Sequence, residues 1–269
     1  MFYKPHPALE PYIQGFVVVY ATDAHVLYNI DLFPVGYGLL SFILSEQHQL
    51  ISLNRSYNTR FNFTGQLDHY RLIKASSLSV IYVLFKPFGA YKLLGVPQHL
   101  LKNESIAMQD ILGNAVNEVY AKLVDHADNP AKEVEILQEW LLSQLRDNNK
   151  IDTNRVSLAC DLITESKGNI SIQELNSLCC MSKSSMEQYF KDQIGVSPKM
   201  YSRIIRFNET KKILKEATNK SWIEIVENHG YYDQSHFIHE FKHFFGYSPS
   251  QIHLSFKNLA EHISSIKSV

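Results

Sequence analysis

The two halves of the chain carry different patterns of apolar and polar positions. Residues 12–20, 37–44 and 79–85 are runs of Val, Ile, Leu, Tyr and Phe bounded by Pro, Gly, Asn and Asp, which predicts strands. From Pro87 onward the period changes. Residues 90–95 read as a short helix, and Val116, Val119, Tyr120 and Leu123 fall at helical spacing. Val134, Leu137, Trp140, Leu141 and Leu145 repeat that spacing in an amphipathic stretch over 133–145. This stretch is a candidate dimer helix, and intradomain packing accounts for it equally well. A polar break, Asp-Asn-Asn-Lys at 147–150, is the best linker. Beyond it everything reads as helix, beginning at a cap on Asp152 or Thr153 and stopping near Gly168. The expected class is α+β: a β-rich domain with trailing helices over residues 1–147, then an all-α domain over 151–256.

The second half contains an internal repeat at an offset of 50 to 51 residues. Ser171-Ile-Gln-Glu174-Leu175 matches Ser221-Trp222-Ile-Glu224-Ile225, and both are S-x-x-E capping boxes that start a helix at a defined residue. A second cap follows each. Ser182 precedes Lys183 to Lys191, and Asp233 precedes Gln234 to Lys242. Met186 and Phe190 are four apart, as are Phe237 and Phe241, so each pair forms a buried stripe. Trp222 and Ile225 are assigned to core as well. Gly230 stands where the second turn needs a left-handed residue, and Cys180 holds the corresponding place in the first. Both units end alike, Gly195-Val-Ser197-Pro198 against Gly246-Tyr-Ser248-Pro249.

Helix, short turn, and a second helix with an apolar stripe and a polar outer face is the helix-turn-helix plan. Such a second helix fits a DNA major groove. Residues 200 to about 217 read as one connecting helix between the units. About 18 residues at ~1.5 Å each span roughly 27 Å, close to the ~34 Å of one duplex turn. That length sets recognition helices at about 183–192 and 234–244 on one face of the duplex.

Composition constrains this picture without overturning it. A 45% hydrophobic, 20% charged chain is ordinary for a globular protein, and no stretch reaches the ~20 apolar residues of a membrane span. No signal peptide is read at the N-terminus, so the expected location is the cytoplasm. Cys160, Cys179 and Cys180 are too few, and two of them adjacent, for a disulfide framework or a metal site. His6, His25, His48, His69 and His99 lack ligand spacing and read as surface histidines, so no metal or cofactor is expected. No catalytic motif is present, and the expectation is a non-enzyme. The net charge of -1 does not advertise a nucleic-acid partner. Residues 199–220, however, carry seven basic residues (Lys199, Arg203, Arg206, Lys211, Lys212, Lys215, Lys220) against Glu209 and Glu216.

The run Arg206-x3-Thr210-x2-Ile213-Leu214, then Ile223-x-Ile225, then Gly230-Tyr231-x-Asp233-x-Ser235-x-Phe237-x3-Phe241-Lys242-x3-Gly246-Tyr-Ser248-Pro249 closely resembles the signature of the AraC/XylS family of bacterial transcription regulators. The resemblance covers about 100 residues. Thr210, where that family usually has Ala, Asn176, Val226-Glu227, His236 and His239 depart from it. More loosely, Ile30 to Gly36 and Val83 to Gly89 resemble an uncharacterised sensor-like domain often fused there, which implies a regulatory N-terminal domain.

Carried over by position, the resemblance implies base-facing roles for Ser184, Glu187 and Gln188 in the first recognition helix and for Gln234, Ser235, His236 and His239 in the second. Gln pairs bidentately with adenine, and Glu accepts from cytosine. Phosphate contacts fall to Ser171, Ser182, Lys183, Lys191, Arg203, Ser221 and Lys242, helped by capped helix N-termini. For Arg206, packing against the domain core is a strong alternative. Tyr231 and Tyr232 are assigned to propping the turn. The leading reading is a sequence-specific DNA-binding regulator, an activator that positions RNA polymerase, with a small-molecule effector in the N-terminal domain and a homodimer as further partners. The rival is a protein-interaction adaptor that keeps the helical fold without specific DNA binding. A third reading, a DNA-repair methyl acceptor with similar C-terminal units, lacks the four-cysteine cluster it would need near the N-terminus.

Overall fold

The computed structural model describes residues 1–20, 27–44, 49–52, 55–57, 60–76, 79–216 and 230–249. Among the described residues the N-terminal half holds ten strands: β1 (Phe2–Tyr3), β2 (Ile13–Tyr20), β3 (Leu27–Leu32), β4 (Leu39–Ile43), β5 (Gln49–Ser52), β6 (Arg55–Tyr57), β7 (Phe61–Thr64), β8 (Arg71–Ser76), β9 (Ser79–Phe85) and β10 (Ser105–Ala107). They form a six-stranded sheet, β1-β2-β9-β4-β7-β10, and a four-stranded one, β3-β8-β5-β6, with every pairing antiparallel. The three strands expected from their apolar runs are the adjacent β2, β9 and β4. They are legible because their residues are buried almost continuously, as in β4 and β9.

Helices α1 (Gly89–Leu94), α2 (Met108–Leu112), α3 (Ala115–Asp125) and α4 (Pro130–Asp147) follow. Asn129 caps α4 by accepting from the Lys132 N–H, and Pro130 occupies the first position, where a missing donor costs nothing. Val134, Ile136, Leu137 and Leu141 of α4 are buried with Phe16, Phe42 and Phe63 of the sheet, and the Trp140 ring meets Phe42 and Phe61 edge-on at 6.3 and 5.8 Å. The apolar face of the candidate dimer helix is thus spent within the domain core.

The rest of the described chain is helical: α5 (Asn154–Glu165), α6 (Ile172–Leu178), α7 (Lys183–Gln193), α8 (Pro198–Glu216) and α9 (Gln234–Phe245). Their buried residues, among them Ile163, Leu175, Met186, Phe190, Ile204, Phe207, Phe237, Phe241 and Phe244, form a second core that also takes in Phe88 and, at its edge, Tyr12 and Phe33. The two halves therefore share a packed boundary. The polar break after α4 is fastened: Asn148 donates to Leu93 O at 2.9 Å, and Lys92 Nζ donates to Asn149 O and Ile151 O at 3.1 and 2.6 Å. Among the described residues no helix is long and apolar enough to cross a membrane, and no group of three or more His, Cys, Asp and Glu side chains could hold a metal.

Candidate nucleic-acid interface

The repeat read from the sequence is a repeat of backbone geometry. In the first unit Ser171 Oγ accepts from the Glu174 N–H at 3.1 Å and starts α6. Cys180 then takes a φ of 51°, and Ser182 Oγ accepts from the Ser185 N–H at 3.1 Å to start α7. In the second, Gly230 has φ 74°, and Asp233 Oδ1 accepts from the His236 N–H at 2.7 Å to start α9. Gly195 and Gly246, at φ 92° and 79°, follow α7 and α9 in turn. The second capping box, at Ser221, lies outside the described residues, as do Trp222 and Ile225.

Both α7 and α9 bury one stripe and expose another. Met186 and Phe190 are buried under α7, and Phe237, Phe241 and Phe244 under α9. On the outer faces Ser184, Gln188, Gln234, Ser235 and His239 are exposed, while Glu187 and His236 are half-buried. Gln188 Nε2 donates to Asp192 Oδ2 at 2.8 Å, a surface bond one turn along the helix. His236 Nδ1 accepts from the Tyr232 N–H at 3.3 Å. Ser171, Ser182, Lys183, Lys191 and Lys242 are all exposed. Lys191 and Lys242 stand one repeat apart in the last turns of their helices.

Arg203 does not join them. Its Nε and Nη2 donate to Glu240 Oε2 and Oε1 at 2.8 and 2.6 Å, and its guanidinium lies over the Phe244 ring. It brackets α8 to α9, with its Nε and Nη2 engaged by that carboxylate and its side chain 26% exposed. The same holds for much of the basic segment around it. Arg206 donates to backbone carbonyls, Lys211 lies over Phe33, and Lys212 pairs with Glu209. Arg206 and Lys211 are thus engaged by packing, because a long helix crossing both units has few positions free of neighbours, whereas Lys212 is held only in an exposed pair. Lys199 remains exposed, in a groove between the units.

Sequence reasoning placed Tyr231 correctly, misplaced Tyr232 and missed Ile238. Tyr231 is buried, with its hydroxyl 3.0 Å from Thr210 Oγ1, which accounts for a hydroxyl-bearing residue at position 210. Its neighbour Tyr232 is 92% exposed and props nothing. Ile238, 40% exposed, adds an apolar side chain to the outer face of α9. A signal for Tyr232 was present in the sequence: the repeat offset is 50 at Cys180 and Gly230 but 51 at Ser182 and Asp233, so Tyr232 is the residue inserted in the second turn.

Both α7 and α9 also touch the N-terminal half. Asp192 of α7 lies 3.3 Å from His99, and the Gly195 backbone packs on Gln98. At the end of α9, His243 Nε2 lies 2.8 Å from Asp68 O, and the Tyr247 hydroxyl 3.0 Å from that of Tyr70. The Asp68 carboxyl is buried, which alone would raise its pKa. Bonds from Lys102, His69 and Asn103 outweigh this and hold it well below the usual carboxylate range.

Residues 177–253 match the model of a helix-turn-helix domain, and residues 1–107 that of a domain of unknown function, DUF6597. The uncharacterised HTH-type transcriptional regulator YbfI of Bacillus subtilis (strain 168) is 30% identical over 247 residues, 86% of each chain. Among solved structures, ToxT from Vibrio cholerae O395 aligns over 88% of this chain and 95% of its own, at 14% identity and a TM-score of 0.45. The AraC-like transcriptional activator CuxR aligns over 76% of this chain and 77% of its own, at 15% identity and a TM-score of 0.29.

Proposed function

Because this chain belongs to the AraC-type helix-turn-helix transcriptional regulators, we propose that it binds duplex DNA sequence-specifically by laying α7 and α9 in successive major grooves, and that it activates transcription from there by engaging RNA polymerase. The observation that carries this reading is the equivalence of the two outer faces. Each recognition helix starts at an exposed side-chain cap, buries the same stripe, and presents its polar residues to solvent one repeat apart. Gln188 and Gln234 suit adenine, His236 and His239 suit acceptors on guanine, and Ile238 suits a thymine methyl. Exposed Lys183, Lys191 and Lys242, with the caps at Ser171 and Ser182, suit phosphates. α8, at 19 residues, supplies a spacer of roughly 28 Å.

An effector belongs in this reading at a cavity of about 180 Å³ in the N-terminal half, lined by Leu32, Phe33, Val35, Leu39, Leu67 and Leu84. Phe33 also packs on Phe245 of α9 at 4.9 Å, so a ligand there would press on the second unit.

The test is selection of bound duplexes from a genomic fragment library, followed by titration of the recovered site at several salt concentrations. The expected result is a two-part site of about 20 bp bound in the nanomolar range, with affinity falling steeply as salt rises. Equal binding to every duplex, or none, would overturn the reading in favour of a protein-interaction adaptor.

A further inference from the structure

One arginine of the connecting helix holds both helix-turn-helix units at once. Arg206 Nη1 donates to Gly230 O at 3.2 Å, and Nη2 donates to Gly168 O at 2.9 Å. Gly230 is the left-handed residue of the turn that leads into α9. Gly168 is the left-handed residue after α5, three positions before the Ser171 cap of α6. The guanidinium also lies over the Tyr231 ring, 5.9 Å from its centroid, and Tyr231 is itself tied to Thr210 one turn along α8. The Gly168 backbone comes so close to α8 that an added Cβ would stand 2.3 Å from Ser202 O.

Above this floor the units part. A groove of about 620 Å³ runs between them, walled by Ile170, Ser171 and Ile172 on one side and by His236 and Glu240 on the other. Arg203 reaches only the second wall, through Glu240. Arg206 alone among the residues lining the groove is bonded to backbone belonging to both units. A planar fork with fixed donors holds two carbonyls at a set separation, which a single flexible ammonium does not.

We infer that Arg206 is a positioning residue that sets the distance and phase between the two recognition helices, and thereby the spacing of half-sites the protein accepts. This rests on the DNA-binding reading above. One base pair added between half-sites turns the second groove by roughly 35° about the duplex axis, given ~10–10.5 bp per turn. A rigid strut therefore discriminates spacing, and a loosened one tolerates error.

The experiment uses the full chain and the site selected above, with its central spacer unchanged, shortened by one base pair or lengthened by one. The wild type is expected to prefer the native spacer by about tenfold, on the scale of one mismatched base pair. Arg206→Lys and Arg206→Gln are expected to bind the native spacer more weakly and to lose most of that preference, while protection at each half-site persists. A variant that weakens all three spacers by one common factor, or keeps the wild-type profile, would overturn the inference. If Arg206→Gln does not fold, Arg206→Lys decides on the same series, since it keeps the stem and the charge but not the fork. A wild-type protein that selects no site would overturn the DNA-binding reading instead, so the two failures are distinct.

Discussion

Glu240 of α9 receives both Nε and Nη2 of Arg203 from α8, at 2.8 and 2.6 Å, with its carboxylate almost fully buried. Burial alone would raise its pKa. The Arg203 bonds and charge, with His236 and His243 nearby, outweigh that and lower it. A carboxylate whose folded-state pKa is depressed contributes stability that is present above its unfolded value and lost as pH falls through the folded one. Glu240→Gln should therefore cost about 2 kcal/mol at neutral pH, for a buried, bidentate, charge-assisted contact. The gap to the wild type should close as the carboxylate range is crossed downward. Denaturant melts at neutral pH and at pH 3 to 4 check this, and a gap independent of pH would contradict it.

Cys180 and Gly230 hold the same left-handed turn, at φ 51° and 74°, but only one of them is suited to it. An L side chain in that region costs on the order of 1 kcal/mol, partly returned through the smaller unfolded entropy of a non-glycine residue. Cys180→Gly should accordingly raise stability by about 0.5 kcal/mol. Gly230→Ala should lower it by about 1 kcal/mol or more, because its added Cβ would also meet the Asn169 side chain at 2.0 Å. Paired thermal melts of the two variants give the comparison. Matching signs would show that the two turns do not share one geometry.

The contrast between those turns also shows what the sequence made legible. The repeat was visible because caps, aromatic stripes and closing glycines are local: Ser182, Asp233, Phe237 and Phe241 do in three dimensions what their spacing says. Strands β2, β4 and β9 were visible because burial on both faces writes a continuous apolar run. The other strands were not. Strand β10 has three residues and is defined by its partner β7, and β3 contains Asn29 and Asp31, which weaken any strand pattern. In the site, charge in the sequence does not translate into availability. Arg203 and Arg206 are basic in sequence but spoken for in space, because the atoms that claim them, Glu240 and the Gly168 and Gly230 carbonyls, lie 24 to 38 residues away.

That distinction between free and engaged cations has a direct consequence for salt dependence. For each phosphate that a variant no longer neutralises, the slope of log affinity against log salt should fall by about 0.9. Lys183→Ala, Lys191→Ala and Lys242→Ala should each weaken binding by a similar factor on every sequence tested and flatten the slope by about one unit. Arg203→Ala should leave the slope unchanged and lower the melting temperature. Gln188→Ala or His239→Ala should instead cost about 1–3 kcal/mol at one base position and little elsewhere. Anisotropy titrations over a salt series, on the selected site and its single-base variants, separate the three behaviours.

The Tyr70 hydroxyl donates to Asp31 Oδ1 at 2.7 Å and lies 3.0 Å from the Tyr247 hydroxyl, tying the end of α9 to the N-terminal half. Burial, with the Asp31 bond, pushes its pKa well above that of an ordinary tyrosine, so it stays a neutral donor at all physiological pH. Tyr70→Phe removes both bonds and leaves two polar partners, at a cost of about 1–2 kcal/mol. Amides over residues 243–249 should then exchange faster, while those of α7 keep their protection. Uniform acceleration across both helices would show that the contact stabilises the whole chain and not this junction.

Tyr232 offers the sharpest separation of contact from stability. It is 92% exposed, stands beside the Asp233 cap of α9, and has no counterpart in the first unit. A large aromatic left in water gains nothing from the fold, so its removal should leave the melting temperature within the error of measurement. If α9 lies in a groove as proposed, Tyr232 stands next to its N-terminus, where it can lie against a sugar or donate its hydroxyl to a phosphate. Tyr232→Ala should therefore weaken binding to the selected site by about 1 kcal/mol, roughly fivefold, with Tyr232→Phe separating the ring from the hydroxyl. The loss should fall on the half-site beneath α9, seen as fading protection there while the half beneath α7 stays protected. An unchanged affinity in both variants would remove Tyr232 from the interface and leave the second unit to the α9 side chains alone.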